Sequence, residues 1–335
     1  MTMATKIIYL KPDGPFHLQT GGGDHETVDL FPRSDSVSAA LTYWWFRQYG
    51  DISGFPDSLP YHISSVFPAI ASGDTLIRLF PKPLGIQIDP ESQSHKVFKK
   101  IKWVDEALFQ AWKNGDDLSR LIPEYSNSDN LKRNGAVWVK DSNISLGTGP
   151  LAITDVRTRA TVDRGTHATM PFQFVSAWYA SDIHFWFYCR FHEEAETRFM
   201  SILRLLGDEG LGADRTVGMG NYSVLSSEEE RKSDHSETGK WFNLGLYNPD
   251  GIEFPEIEWR DSVYQLETRG GWVTGKSLRR KPLVCVAETS VLQFPSPPKG
   301  TIARVLDKDD PDIPDEVRPG YSVYRDCRGF FIPCK

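Results

Sequence analysis

The chain has 335 residues, 39% hydrophobic and 12% aromatic, enough to bury the core of one large domain or two ordinary ones, so wholesale disorder is excluded. No apolar run nears the roughly 18 residues that a membrane span needs, the apolar stretch after Lys6 is too short for a signal-peptide core, and the four cysteines form no C-x-x-C pair, so neither a disulfide framework nor a structural zinc site is indicated. The net charge of −7 argues against a nucleic-acid partner only as an average, because residues 307–316 (DKDDPDIPDE) carry −5 and leave −2 for the other 325. These features describe a soluble, cytoplasmic protein.

Lys6–Leu10 reads as an opening strand, broken by Pro12, Gly14 and Pro15. Ser34 or Asp35 caps a helix that runs to about Tyr49 and ends at Gly50. Residues 61–80 are strand-like with an interruption at 72–74, and Pro81-Lys82-Pro83 cannot continue a central strand. Residues 105–135 look helical, then turn-rich and polar, as an insertion or mobile region would. From Asp155 to Asp163 the chain alternates: Val156, Thr158, Ala160 and Val162 share one side, Arg157, Arg159, Thr161 and Asp163 the other. Strands follow at about 172–180 and 183–191. In the helix 194–206, Phe199, Ile202, Leu203 and Leu206 form one apolar stripe. A strand is expected near Tyr222, a linker or exposed loop at 226–240, and short strands from 241 to 333. This order predicts an α+β protein with antiparallel sheets, most economically two ferredoxin-like (RRM-like) domains at 1–228 and 238–335, with an inserted hairpin or loop region.

Enzymatic signals mostly fail. His192-Glu193-Glu194-Ala195-Glu196 lacks the second histidine of H-E-x-x-H, Gly21-Gly22-Gly23-Asp24-His25 lacks a second carboxylate for a metal pair, and neither a Walker A sequence nor a G-x-S-x-G elbow occurs. The eight histidines are scattered and each reads as a surface or core residue, with His17, close after the first strand, the least dismissible as a general base. Basic clusters stand at Lys96, Lys99, Lys100 and Lys102, at Arg157, Arg159 and Arg164, and at Lys276, Arg279, Arg280 and Lys281; each alone reads as solvated surface. Gly210–Gly220 differs from these. Its glycines allow close approach of a ligand, its N–H groups can form an anion-binding concavity, and Arg215 can add a bidentate phosphate contact. The alternative is a structural turn in which Asp214 and Arg215 pair with each other.

That loop resembles the glycine-rich loop of the RAMP superfamily of CRISPR proteins, close to G-x-G-G-D-R-S-x-G-K-G in the fourth subunit of the type III-A Csm effector complex. Other segments resemble the same family in the same order: Ser34–Ala40 (SDSVSAA), Phe80–Leu84 (FPKPL), Lys99–Trp103 (KKIKW), Val156–Arg164 (VRTRATVDR), Gly271–Val273 (GWV), Ala287–Val291 (AETSV) and Val323–Arg325 (VYR). Departures are Ala213 for a usual glycine, Met219 where lysine is common, and Thr289 for a glycine. The resemblance implies two ferredoxin-like domains, no catalytic activity, no cofactor and no metal. It implies a place at the foot of a guide-RNA complex, holding the repeat-derived 5′ tag of the crRNA and docking the large Palm-domain subunit, with a target-RNA-cleaving backbone subunit on the other side. Target RNA is then met through the complex, and no membrane is involved.

On this reading Arg157, Arg159 and Arg164 contact the RNA backbone, with Gly212, Arg215 and Gly218 forming the loop against it. Lys82, and Ser34 with Ser36 at a helix N-terminus, are further phosphate candidates. The alternative for Arg157 and Arg159 is pairing with Asp155 and Asp163. Trp44, Trp45 and Phe46 read as core or interface. Two competing functions are a RAMP-type endoribonuclease that cuts repeat RNA, for which the resemblance to related ribonucleases would make His17 or a tyrosine such as Tyr9 essential, and the equivalent foot subunit of a type III-B Cmr complex.

Overall fold

A computed structural model describes residues 5–20, 26–52, 54–125, 127–230, 237–273 and 278–335. The chain opens with β1 (Thr5–Pro12) and α1 (Ser34–Tyr49), then β2 (Tyr61–Ile63), β3 (Phe67–Ser72) and β4 (Thr75–Pro81). Helices α2 (Gln93–Lys100) and α3 (Glu106–Lys113) flank β5 (Trp103–Asp105), and β6 (Leu131–Lys132) and β7 (Val137–Trp138) follow. Next come β8 (Ala152–Val162), β9 (Thr169–Tyr179), β10 (Ile183–Phe191), α4 (Glu196–Glu209) and β11 (Tyr222–Glu230). The remainder is short strands, with no α-helix among the described residues: β12 (Lys240–Asn243), β13 (Leu266–Arg269), β14 (Leu283–Val286), β15 (Val291–Gln293), β16 (Thr301–Leu306), β17 (Val323–Cys327) and β18 (Phe331–Cys334).

Among the described residues nine strands form one sheet, ordered β11-β1-β10-β3-β4-β5-β7-β6 with β2 also on β10. From β11 to β5 every ladder is antiparallel; β5 and β7 run parallel. The elements β1, α1, β3, β10, α4 and β11 therefore follow the order β–α–β–β–α–β, the fourth strand beside the first and the third between the first and second. The class is α+β, as expected.

The sheet is buried on both faces. Ile8, Leu10, Phe185 and Phe187 pack with Leu41 and Trp45 of α1 and Phe199, Ile202, Leu203 and Leu206 of α4. Ile7, Tyr9, Trp186 and Tyr188, turned the other way by the period of two, pack with Phe109 of α3 and with Phe242, Leu244, Phe330 and Ile332. Two buried faces explain why β10 reads as a nearly unbroken aromatic run. Each such side chain contributes roughly 1.5–3 kcal/mol. Gly207 lets α4 lie close on β11, since a Cβ there would come within 2.3 Å of the Tyr222 carbonyl oxygen. The three-stranded sheet β15-β12-β18 thus shares its core with the large sheet.

Two expectations are corrected. Arg33 occupies the N-cap of α1, and neither Ser34 nor Asp35 caps it by a side-chain hydrogen bond. Strand β11 continues to Glu230, paired to β1, so the start of the polar stretch 226–240 is sheet; residues 231–236 lie outside the described residues. The expected alternation is present in β8, which among the described residues pairs with β9 alone in a hairpin whose apolar side is open, with Val156 58% exposed.

Candidate nucleic-acid interface

Helix α1 uses its faces differently. Val37, Leu41 and Trp45, four residues apart, are buried, whereas Ser36, Ala39, Ala40, Tyr43 and Trp44 line a groove of about 980 Å³. The groove is also lined by Leu18–Thr20 with loop 210–216, and by Arg269–Val273, Arg280, Tyr324 and Arg325. Trp44, read from sequence as core or interface, therefore borders the groove. Trp45 is buried, and Phe46 packs edge-on against Phe55.

Asp35 is the pivot of the site. Its side chain is fully buried, with Oδ1 accepting from Arg269 Nη2 and Oδ2 from Arg269 Nε, each at 3.2 Å; Oδ2 also accepts from Arg325 Nη1. Burial alone would raise this carboxyl, but the Arg269 and Arg325 guanidinium groups outweigh it and hold the group well below the usual carboxylate range. Arg269 also pairs with Asp29 (3.3 Å) and Glu267 (3.2 Å), and Arg33 with Glu288 (2.8 Å) and Glu267. Arg325 Nη2 donates to the Gly270 carbonyl oxygen at 2.6 Å, which ties the strand carrying Arg325 to the segment before Trp272. Fixed pairs of this kind set side-chain geometry, because moving either partner leaves a buried charge uncompensated.

The glycine-rich loop is docked on the segment after β1. Ala213 N–H donates to the His17 carbonyl oxygen and Gly220 N–H to that of Pro15, while Leu211 N–H donates to Gly220 O. At Gly212, φ is +102° and a Cβ would lie 2.5 Å from His17 O, so glycine is required there. The amides of Val217, Gly218 and Met219 also bond within the loop. Much of the expected amide concavity is therefore closed by internal bonds, and the loop instead presents Arg215 to the groove. Asp214 does not pair with Arg215. It pairs with Arg159 of β8, whose guanidinium carbon lies 3.6 Å over the Phe174 ring, and Arg215 has no ion pair among the described residues.

The candidate residues thus divide. Gly212, Arg215 and Ser36 line the groove, and Arg159 holds the loop through Asp214. Ser36 Oγ donates to Asp35 Oδ1 at 3.1 Å. Gly218, in the left-handed region at φ +82°, closes the short helical turn 215–217 outside the groove. Arg157 is on the hairpin and pairs with Asp155 at 2.6 Å, and Arg164 lies exposed in the hairpin turn. Asp163 pairs with neither arginine; its Oδ1 accepts from the Gly165 and Thr166 amides of that turn. Ser34 is buried, its Oγ accepting from Leu246 N–H at 2.9 Å. Lys82 donates to the Phe98 carbonyl oxygen at 2.7 Å and lies over the Phe98 ring, away from the groove; burial, with Lys102 nearby, pushes its ammonium down to about 8.

The ribonuclease candidates are enclosed. His17 is fully buried, Nδ1 2.6 Å from the Val175 carbonyl oxygen and its ring stacked on Phe174, and burial pushes the Tyr9 hydroxyl up to about 12. Gly21–His25 and Lys276 lie outside the described residues. Sequence reading missed Arg33, Asp35 as an ion-pair centre, Arg269, Arg280, Trp272, Tyr324 and Arg325. The available signal was the GWV and VYR segments, which resembled the family but carried no assigned role.

No family model and no curated protein matches the chain. Its fold matches a chain of the Csm3–Csm4 subcomplex in the type III-A CRISPR-Cas interference complex (TM-score 0.63, 16% identity, 98% of this chain and 99% of that one). It also matches a chain of the Csm1–Csm4 cassette with cA4 (TM-score 0.54, 16% identity, 99% and 98%) and of the same cassette with pppApA (TM-score 0.55, 16% identity, 99% and 98%). Csm4 is the component these assemblies share, and over nearly its whole length the chain has a Csm4-like α+β fold.

Proposed function

We propose that the chain is a non-catalytic, RNA-anchoring subunit of a type III-A CRISPR RNA-guided effector complex. It holds the repeat-derived 5′ tag of the guide RNA and docks the large Palm-domain subunit, with the target-RNA-cleaving backbone subunit on its other side. One observation carries this reading. Segments that resemble the family one by one, the helix start at Asp35, the glycine-rich loop, Gly271-Trp272-Val273 and Tyr324-Arg325, meet in a single groove although up to 290 residues separate them. The chemistry suits a single strand, whose phosphates meet Arg215 and whose unstacked bases meet the faces of Tyr43, Trp44 and Trp272. Arg157, Arg159 and Arg164 extend the contact to the RNA backbone, with Gly212, Gly218 and Ser36 shaping it. Ser34 and Lys82, engaged within the protein, are left out.

The neighbours' assemblies join Csm4 to Csm3 in one case and to Csm1 in the other, which supports a position between two subunits. The β–α–β–β–α–β order supports a ferredoxin-like domain at 1–228; a second at 238–335 rests on its antiparallel strands. Among the described residues no helix is long and apolar enough to cross a membrane. The test is to pull the tagged protein from its native host, identify co-purifying proteins and sequence the bound RNA. Guide RNAs with one repeat-derived 5′ end and a Palm-domain subunit are expected. A lone chain without RNA, or one that cuts repeat RNA by itself, would contradict the proposal and favour the ribonuclease.

A further inference from the structure

Arg280 stands apart from the other groove arginines. Arg33, Arg269 and Arg325 each have acidic partners, whereas Arg280 makes no ion pair and no side-chain hydrogen bond among the described residues, with its Nε buried. Burial and the adjacent charges of Arg325 and Arg269 push its guanidinium down to about 10, against a smaller opposite pull from Asp35. The backbone is shaped around it. At Gly271 φ is +112°, and a Cβ there would lie 2.7 Å from Arg280 Nη2. Arg280 N–H donates to the Gly271 carbonyl oxygen at 2.9 Å, which fixes the arginine next to Trp272. Trp272 is 41% exposed, with the Arg279 guanidinium carbon 4.7 Å from its ring centroid.

A partly buried cation without a counter-ion destabilises the free chain, and an arriving anion relieves that cost. We propose that Arg280 binds a phosphodiester of single-stranded RNA while Trp272 stacks on an adjoining base. This rests on the RNA-anchoring function and names the residue that fixes one phosphate within it. The guanidinium fork matches two phosphate oxygens, and the groove holds the exposed ring beside it.

The test uses the full-length chain as wild type, Arg280→Gln and Arg280→Lys, with thermal unfolding and the binding of a fluorescent single-stranded oligoribonucleotide as readouts. Without RNA, Arg280→Gln is expected to unfold about 2 °C or more above wild type. It should bind RNA about 10- to 100-fold more weakly, with a log–log salt slope smaller by roughly 0.7, one phosphate contact. Arg280→Lys keeps the charge without the fork and should fall between. Inorganic phosphate should raise the wild-type midpoint more than that of Arg280→Gln. RNA binding by Arg280→Gln at wild-type strength and slope overturns the proposal and leaves the RNA-anchoring function standing. A lower unfolding midpoint for Arg280→Gln without RNA also overturns it, since the arginine would then be serving the fold. A wild-type chain that binds no RNA overturns both.

Discussion

The groove and the β8–β9 hairpin are both rich in arginine, but they hold it differently. In the groove Arg269 and Arg325 are almost fully buried and share one carboxylate, that of Asp35, more than 200 residues away from either. On the hairpin Arg157 pairs with Asp155 two residues away, with 60% of its side chain exposed. A buried, long-range pair is rigid and costly to break, and so positions whatever lies beside it; an exposed local pair is weak and yields to an incoming phosphate. The contrast assigns geometry to the groove and reach to the hairpin. Arg159 joins the two by holding Asp214 of the loop.

The sharpest way to break this comparison is Asp35→Asn. It leaves two buried guanidinium groups without their shared charge, and we expect a loss of about 3–5 kcal/mol in urea unfolding. A loss near that of an ordinary surface change would mean that the groove arginines are not held by Asp35. Gly212→Ala comes next, at about 1–3 kcal/mol, because the new Cβ meets the His17 carbonyl at a positive φ. The loop should loosen from the β1 end, readable as faster hydrogen exchange at the Ala213 amide.

The C-terminal strands that bring Arg325 to the groove meet the large sheet at His62, whose Nε2 contacts the Gly329 carbonyl oxygen. Burial, with Arg328 and Arg190 nearby, pushes this imidazole down to about 3, against the pull of Asp326. The folded state therefore resists taking a proton that the unfolded chain accepts. This stability is complete above pH 6.5 and falls as pH drops toward 3, by up to about 1.4 kcal/mol per pH unit. His62→Gln should flatten that part of the stability–pH curve, and an unchanged curve would remove His62 from the explanation. The smallest effect on stability is expected from Arg157→Glu with Arg159→Glu, within about 1 kcal/mol because both pairs are partly exposed. The same variant should retain clearly less guide RNA, and unchanged RNA content would take the hairpin out of the interface.

Local pattern made much of the fold legible. The stripe Phe199, Ile202, Leu203 and Leu206 is the buried face of α4, and the left-handed Gly50 ends α1 where expected. Alternation in β8 correctly put Arg157 and Arg159 on one side, but a period of two does not say whether the other side meets a core or solvent. The groove was harder to see. Asp35, Arg269 and Arg325 converge only through the tertiary fold, and no periodicity links positions 234 and 290 residues apart. Arg280 was visible only as part of a charged run, since its lack of a partner is a property of the packed structure. The loop brings Arg215 to the groove, but most of its amides are engaged within the protein, because sequence does not show which N–H groups the segment after β1 and the loop itself will occupy.

The central claim, that the groove rather than the hairpin alone receives the 5′ end of a guide RNA, is tested most directly by ultraviolet cross-linking of the native complex followed by mapping of the joined peptides and nucleotides. The account predicts that repeat-derived 5′ nucleotides join to peptides containing Trp44, Trp272 or Tyr324. Cross-links confined to the hairpin between residues 152 and 179, or cross-links in the groove to nucleotides far from the 5′ end, would contradict it.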